Sequence, residues 1–436
     1  MTKNRIMLFV TILTIITLLS ACTPGGADKV SSDDQSANGS KESVELRFSW
    51  WGSQVRTENT LKVIELFEKK YPNIKITGEY VGGTDGYWNK INTQIAGGNA
   101  PDLIQLGNNF PEYVSRNTLL DLNPYIGKKI NVDHIDKTTI AAGQVDGITY
   151  GISLGSNSFG VAYNTELIKK AGMEPPNGDW TWDGFGKYAA DLTKALGKGI
   201  YGTVDESRFP LLFNFMARQS GHSLYRDGKV SVVEQDFVNW LSMWDKFRKE
   251  GATTTAEMAA AYTESPDNSS FVEGKTAMHF IWSNQVNAYQ KVMKDEINIV
   301  LPPNGGQSAE KGLWLQPSQV VSVNAKTKYP EEAAMFIDFM VNDPEATMIL
   351  GNERGIPASA TAREALMKNA TPQDKKIYDF IDIAIQNSTT NDPEPPNGNE
   401  FTTEMLNISQ SVAFGKKSIA EGSKVLFEKV LTTVNK

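Results

Sequence analysis

Between Val44 and Leu106 the chain alternates short apolar runs with amphipathic segments, and this alternation restricts the fold more than any other feature. Val44, Leu46, Phe48 and Trp50 fall at period two, the spacing of a strand with one buried face. Leu61, Ile64, Leu66 and Phe67 come next at helical spacing up to Tyr71-Pro72, where the proline ends the helix. Ile74 and Ile76 open a second strand. Trp88 to Ile95 reads as a short helix ending at Gly97-Gly98, and Asp102 to Leu106 as an apolar run suited to a strand covered on both faces. Strand, helix, strand, helix, strand in that order requires right-handed crossovers and a parallel sheet. The expected class is α/β.

The pattern restarts further on. Gly147 to Val161 is strand-like and Tyr163 to Ala171 helical, and Thr181 is placed to cap a helix through Phe185, Tyr188 and Leu192. Phe237, Leu241, Trp244 and Phe247 mark another amphipathic helix. Pro330 sits where a first-turn proline belongs, ahead of Ala333, Phe336, Ile337 and Met340. From about Glu400 the chain is helix-like again, after a Pro/Gly/Asn-rich loop at Asn391 to Asn399. A single core rarely grows past roughly 250–300 residues, so 436 residues imply two lobes. A composition of 40% hydrophobic and 22% charged residues excludes a fibrous or wholly disordered chain. With 43 basic and 51 acidic residues the net charge is −8, the wrong sign for a nucleic-acid partner.

Residues 1–21 read as a secretory signal: Lys3 and Arg5 precede the apolar run Ile6 to Leu19, which is too short to span a bilayer. Residues 22–43 are rich in Gly, Ser, Asp and Lys, with no apolar face to bury, and read as a flexible tether. The one cysteine, Cys22, rules out an intrachain disulfide and a cysteine-based metal cluster. Leu19-Ser20-Ala21-Cys22 resembles the lipobox of bacterial lipoproteins. By that resemblance Cys22 carries a thioether-linked diacylglycerol, whose two acyl chains give stable anchoring. Removal of residues 1–21 takes away two basic groups and leaves a net charge of −10.

Motifs for catalytic chemistry are few and incomplete. Gly151-Ile152-Ser153-Leu154-Gly155 fits G-x-S-x-G, but Asn157 to Val161 read as extended chain and not as the helix a nucleophile elbow needs. Gly274-Lys275-Thr276 resembles the end of a P-loop, but Ser269 stands where the earlier glycine belongs. Asp392 and Glu394 among asparagines suit weak calcium binding but lack EF-hand spacing. No catalytic residue, cofactor or metal ligand is expected.

Aromatic placement is more informative. A sugar ring offers an apolar C–H face to an indole and hydroxyl edges to Asn, Gln, Asp or Arg. Trp51, Trp282 and Trp314 are flanked by Gly, Ser, Asn and Gln and read as ligand contacts, whereas Trp240 and Trp244, at helical spacing, read as core. Trp50, Gln54, Asn284 and Gln316 join the candidates as their neighbours.

Five blocks carry a family resemblance. They are Trp50 to Arg56 with Val63 to Pro72; Tyr87 to Lys90 leading to Pro101 to Gln105; Tyr150-Gly151 through Tyr163-Asn164, with Lys170 to Gly172 and Trp180 to Trp182; Gly274 to Met278 with Trp282 to Gln285; and Glu353 to Pro357. In this order, across essentially the whole mature chain, they resemble the family 1 extracellular solute-binding proteins, the sugar-binding lipoproteins of ABC importers. Trp-Trp-Gly-x-Gln-x-Arg and the closing Glu-Arg-Gly-x-Pro look similar to the subset that binds pectin- or rhamnogalacturonan-derived oligosaccharides, in which Arg56 or Arg354 would pair with a uronate.

The resemblance implies a two-lobed, type II periplasmic-binding-protein-like fold with the sugar held in the cleft. Residues 44–154 with 319–353 would form one lobe and 155–318 with 354–436 the other. The crossings would fall near Leu154-Gly155, Ser318 to Val320 and Arg354-Gly355. It also implies ligand contacts at Asn108, Asn109, Asn157 and Ser158, stacking by Trp282, and further cleft aromatics at Trp314 or Phe401. The partners implied are an oligosaccharide, two permease subunits with their ATPase, and the outer face of a cell membrane of the Gram-positive type, with the protein a monomer. Two alternatives stay open: a surface-anchored carbohydrate enzyme, which would shorten an oligosaccharide with time, and a peptide or ion binder on the same fold.

Overall fold

The computed structural model describes residues 43–82, 84–107, 109–226, 228–261, 269–307, 309–391 and 398–433. The expected signal segment, Cys22, Asn108, Asp392 and Glu394 lie outside these residues, as does the tether apart from Ser43. Fourteen strands are present among the described residues: β1 (Val44–Trp51), β2 (Ile74–Val81), β3 (Leu103–Leu106), β4 (Gln144–Val145), β5 (Ile148–Thr149), β6 (Gly151–Ser153), β7 (Gly155–Asn157), β8 (Phe159–Asn164), β9 (Tyr201–Thr203), β10 (Thr276–Trp282), β11 (Ile297–Val300), β12 (Gln316–Pro317), β13 (Val320–Val323) and β14 (Ile356–Pro357).

A five-stranded sheet, in the order β2-β1-β3-β13-β6, forms the first lobe. β1 runs parallel to β2 and β3, as the crossover order requires, and β13 returns antiparallel to β3 and β6. Period-two alternation sends Val44, Leu46, Phe48 and Trp50 to one face. There they pack with Val63 and Phe67 of the helix Gln54–Lys70 and Phe336 and Ile337 of the helix Pro330–Asn342. The opposite face carries a smaller core of Tyr87, Ile91, Ile104, Leu106, Phe110 and Tyr113.

The second lobe is built on a four-stranded sheet, in the order β11-β8-β10-β9. Its core takes in Phe185 and Leu192 from the helix Trp182–Leu196 and Trp240 and Trp244 from the helix Glu234–Lys249. Thr181 caps the first of these helices by accepting a hydrogen bond from the Gly184 amide at 3.2 Å. Thr181→Ala should lower stability by about 1 kcal/mol, read as a drop in the urea midpoint, because it leaves that amide without its acceptor. An unchanged midpoint would contradict the cap.

Between the two sheets lies a third, of only three short strands in the order β12-β7-β14, all antiparallel. The chain passes through it three times: from β6 through β7 to β8, from β11 through β12 to β13, and from the first lobe's helix Pro344–Leu350 through β14 to the helix Pro372–Gln386, whose Ile377, Phe380 and Ile381 join the second core. The single strand-like stretch read over Gly147 to Val161 is thus four short strands, broken where the chain changes sheet. Close contact among the crossings depends on Gly155. A Cβ there would lie 2.4 Å from the Arg354 carbonyl oxygen and 2.8 Å from that of Ile356. Gly355 adopts φ +85, a conformation costly for residues with a side chain.

Candidate functional site

A cavity of about 1010 Å³ opens over the hinge sheet, with walls from both lobes. Its floor is made by Asn157, Gln316, Ser318, Gln319 and Gly355. The side-chain oxygens of Asn157 and Gln319 are buried and have no hydrogen-bond partner among the described residues. Buried polar atoms are seldom left this way, so both are acceptors suited to a ligand hydroxyl. The second lobe contributes Trp282, Asn284, Arg208, Thr389, Thr390, Asn391, Thr402 and Thr403, and the first contributes Arg56, Phe110, Thr138 and Gln144.

Trp282 ends β10, half-buried, with Phe159 meeting its ring edge-on at 5.6 Å and 85°. Its amide is held by Gln285 Oε1 at 2.9 Å. Arg56, in the first turn of the helix Gln54–Lys70, donates to the carbonyls of Trp51 at 3.3 Å and Glu353 at 2.6 Å. Burial pulls its pKa down, and the nearby Glu353 carboxylate opposes that shift. On the facing lobe, Glu206 and His279 form a buried pair at 3.0 Å in the cavity wall.

Several expected contacts lie elsewhere. Trp50 and Trp51 are adjacent in a strand and so point to opposite faces of the sheet. Trp50 is fully buried against Phe48 and Tyr80, and Trp51 packs on Tyr87 and Trp88; neither lines the cavity. Arg354 is buried at the hinge, its side chain donating to Gln105 Oε1 and Thr60 Oγ1 of the first lobe, each at 2.9 Å. Burial, with Arg56 beside it, brings its pKa down to about 9. It anchors the third crossing and offers nothing to a ligand. Phe401 packs on Phe237, one residue away from the cavity-lining pair Thr402 and Thr403.

Trp314 borders the cavity but is only 1% exposed, with Arg218 over its ring at 5.6 Å and its Nε1 on Gln316 Oε1 at 3.2 Å. It supports the wall and presents no face for stacking. Ser158 is fully buried, its amide bound to Ser283 Oγ. Gln54 is exposed and bonds Glu58. Asn109 accepts from the Gly107 amide at 3.3 Å, and its neighbours Gly107 and Phe110 reach the cavity in its place. The expected contacts that do line the cavity are Arg56, Asn157, Trp282, Asn284, Gln316 and, as a buried support, Trp314.

Arg208, Gln319 and the Thr389 to Asn391 and Thr402-Thr403 groups were not anticipated. The signal available was the clustering of Thr and Asn around a loop, since loops on a rigid scaffold carry much of binding. Ser153 of G-x-S-x-G is buried and donates to the Gly155 carbonyl at 2.6 Å, so its hydroxyl serves the hinge.

The model for bacterial extracellular solute-binding proteins matches residues 62–377. The chain belongs to this family. A family 1 extracellular solute-binding protein from Alicyclobacillus acidocaldarius is 31% identical over 91% of this chain and 100% of its own, with a TM-score of 0.82. A periplasmic oligogalacturonide binding protein from Yersinia enterocolitica superposes with a TM-score of 0.77 at 24% identity, over 90% of this chain and 99% of its own, and supports the two-lobed fold. A maltooligosaccharide ABC transporter solute-binding lipoprotein from Streptococcus pneumoniae is 25% identical over 373 residues, 79% of this chain and 78% of that protein.

Proposed function

We propose that this protein captures an acidic oligosaccharide in the cleft between its lobes and presents it, uncut, to an ABC importer. The observation that carries the reading is the cavity at the hinge, which combines a half-buried indole, orphan amide oxygens, threonine hydroxyls and two arginines. At about 1010 Å³ it stands at the top of the range for small-ligand sites, suiting a chain of sugar rings. The acidic preference rests on Arg56 and Arg208, one from each lobe. Arg56 makes its hydrogen bonds to carbonyls, while the nearby Glu353 carboxylate accepts from Ser53 Oγ at 3.2 Å. The guanidinium faces the cavity beyond these bonds, where a uronate carboxylate would compete with Glu353 for its charge. The Yersinia neighbour is named for an acidic oligosaccharide and the pneumococcal relative for a neutral one.

In this account residues 44–154 with 319–353 and residues 155–318 with 354–436 move as two bodies about the hinge strands. The sugar favours the closed form only through contacts it makes there and not in the open form. Cys22 carries the lipid that holds the monomer at the outer face of the membrane, beside two permease subunits and their ATPase. No step breaks or forms a covalent bond.

Titration of tryptophan fluorescence with oligogalacturonides and maltooligosaccharides at low and high salt tests the reading. The acidic series should bind and should weaken as salt rises, because the arginine contacts are screened. Tighter binding of the neutral series, unaffected by salt, would overturn the acidic preference.

A further inference from the structure

Two carboxylates line the cavity among the described residues, Glu206 and Glu353. Glu206 is buried in the second lobe, 3.0 Å from His279. Glu353 belongs to the third crossing and is half-buried beside Arg56, which lines the same cavity. Three hydrogen bonds fix its place. Arg56 Nη2 donates to its carbonyl at 2.6 Å, Ser53 Oγ donates to its Oε2 at 3.2 Å, and the same Ser53 Oγ accepts from the Arg56 amide at 3.1 Å. The helix Gln54–Lys70 has no acidic residue in its first turn. The negative charge that suits its amino end is supplied by Glu353, 300 residues further along the chain than Ser53. Next to Glu353 is Arg354, buried and bonded to the uncharged Gln105 and Thr60. Two guanidiniums thus share one nearby carboxylate. Burial lowers the pKa of both, the Arg56 charge lowers that of Arg354 further, and Glu353 opposes the fall in each.

We propose that Glu353 is a specificity-determining residue: an internal counter-ion for Arg56 that weakens the hold on acidic oligosaccharides and leaves neutral sugars unaffected. This rests on the acidic-oligosaccharide reading of the cavity. A ligand carboxylate arriving at Arg56 meets Glu353 in two ways. It competes for the guanidinium, and it is repelled as a like charge across a partly buried site. A neutral sugar meets neither cost. With Glu353 in place the group of Arg56, Arg354 and Glu353 keeps a single net positive charge, which still favours a uronate. Without it the surplus doubles. Glu353 therefore keeps the capture of an acidic chain reversible.

The test is calorimetric titration of the protein and its Glu353→Gln variant with one oligogalacturonide, and with the same chain methyl-esterified at every carboxyl, at low and high salt. Glutamine keeps an oxygen that accepts from Ser53 Oγ, so the crossing keeps its anchor while the charge is removed. The variant should bind the acidic chain about tenfold more tightly at low salt (~1.4 kcal/mol) and lose most of that gain at high salt. It should bind the ester as the unmodified protein does. A damaged fold does not raise affinity, so the gain separates this role from a merely structural one. Equal or weaker binding of the acidic chain by the variant overturns the proposal and leaves Glu353 as a cap of the helix Gln54–Lys70. An equal gain for the ester also overturns it, because charge then plays no part. If the unmodified protein binds no oligogalacturonide, the acidic-oligosaccharide reading falls and this role falls with it.

Discussion

Trp282→Ala is expected to weaken oligosaccharide binding about 30-fold (~2 kcal/mol), the loss typical of a tryptophan that anchors an interface. The indole ends β10 at the cavity wall, half-buried, and Phe159 sets its orientation from one edge. Its backbone position is held separately by Gln285 Oε1, so the truncated residue keeps its place in the fold. The variant should therefore keep nearly all of its thermal stability while losing affinity. Calorimetric titration beside a melting curve separates the two effects. Unchanged affinity would remove Trp282 from the site, and a melting point that falls in step with affinity would make it a core residue.

Trp240→Ala is expected to cost 3–5 kcal/mol of folding free energy, roughly what a large buried aromatic loses on truncation. Trp240 is fully buried, packed edge-on against Trp182, Phe213 and Trp244. Its Nε1 donates to the Ser207 carbonyl at 2.7 Å, and Ser409 Oγ donates to the same carbonyl at 2.8 Å. Ser207 lies between Glu206 and Arg208, both of which face the cavity. The core indole thus holds the segment that brings Arg208 to the cleft. Affinity for an acidic chain should fall along with stability, even at temperatures where the variant stays folded. Urea unfolding checks the first part. A loss below about 1 kcal/mol would mean the core closes over the gap far better than expected.

The sequence is most legible where one face of an element is buried. β1, the helix Gln54–Lys70 and the helix Pro330–Asn342 show their periodicity because a single core selects one stripe of residues. The crossings were approachable only through family resemblance, since strands of two or three residues hold no period. Of the expected contacts, Trp282, Asn157 and Arg56 line the cavity, and they sit where elements end near the hinge. Trp50 and Trp51 do not reach it, because β1 turns one indole into each of the two cores of the first lobe. Phe401 was misread because one step along a helix moves a side chain by about 100°, away from Thr402 and Thr403. Arg354 was misread because a guanidinium looks solvent-facing in a sequence. Its burial depends on Gln105 and Thr60, far apart in the chain. Arg208 and Thr389 to Asn391 come to one cavity only through the fold, and no local pattern announces that.

The most direct test of the central claim is isothermal titration of the protein with a purified oligogalacturonide, held for hours after saturation. A protein that binds and releases the sugar uncut should give saturable one-to-one binding, a flat baseline afterwards and a sugar recovered at its original length. No binding heat with any saccharide, or a heat that continues as the chain shortens, would contradict it.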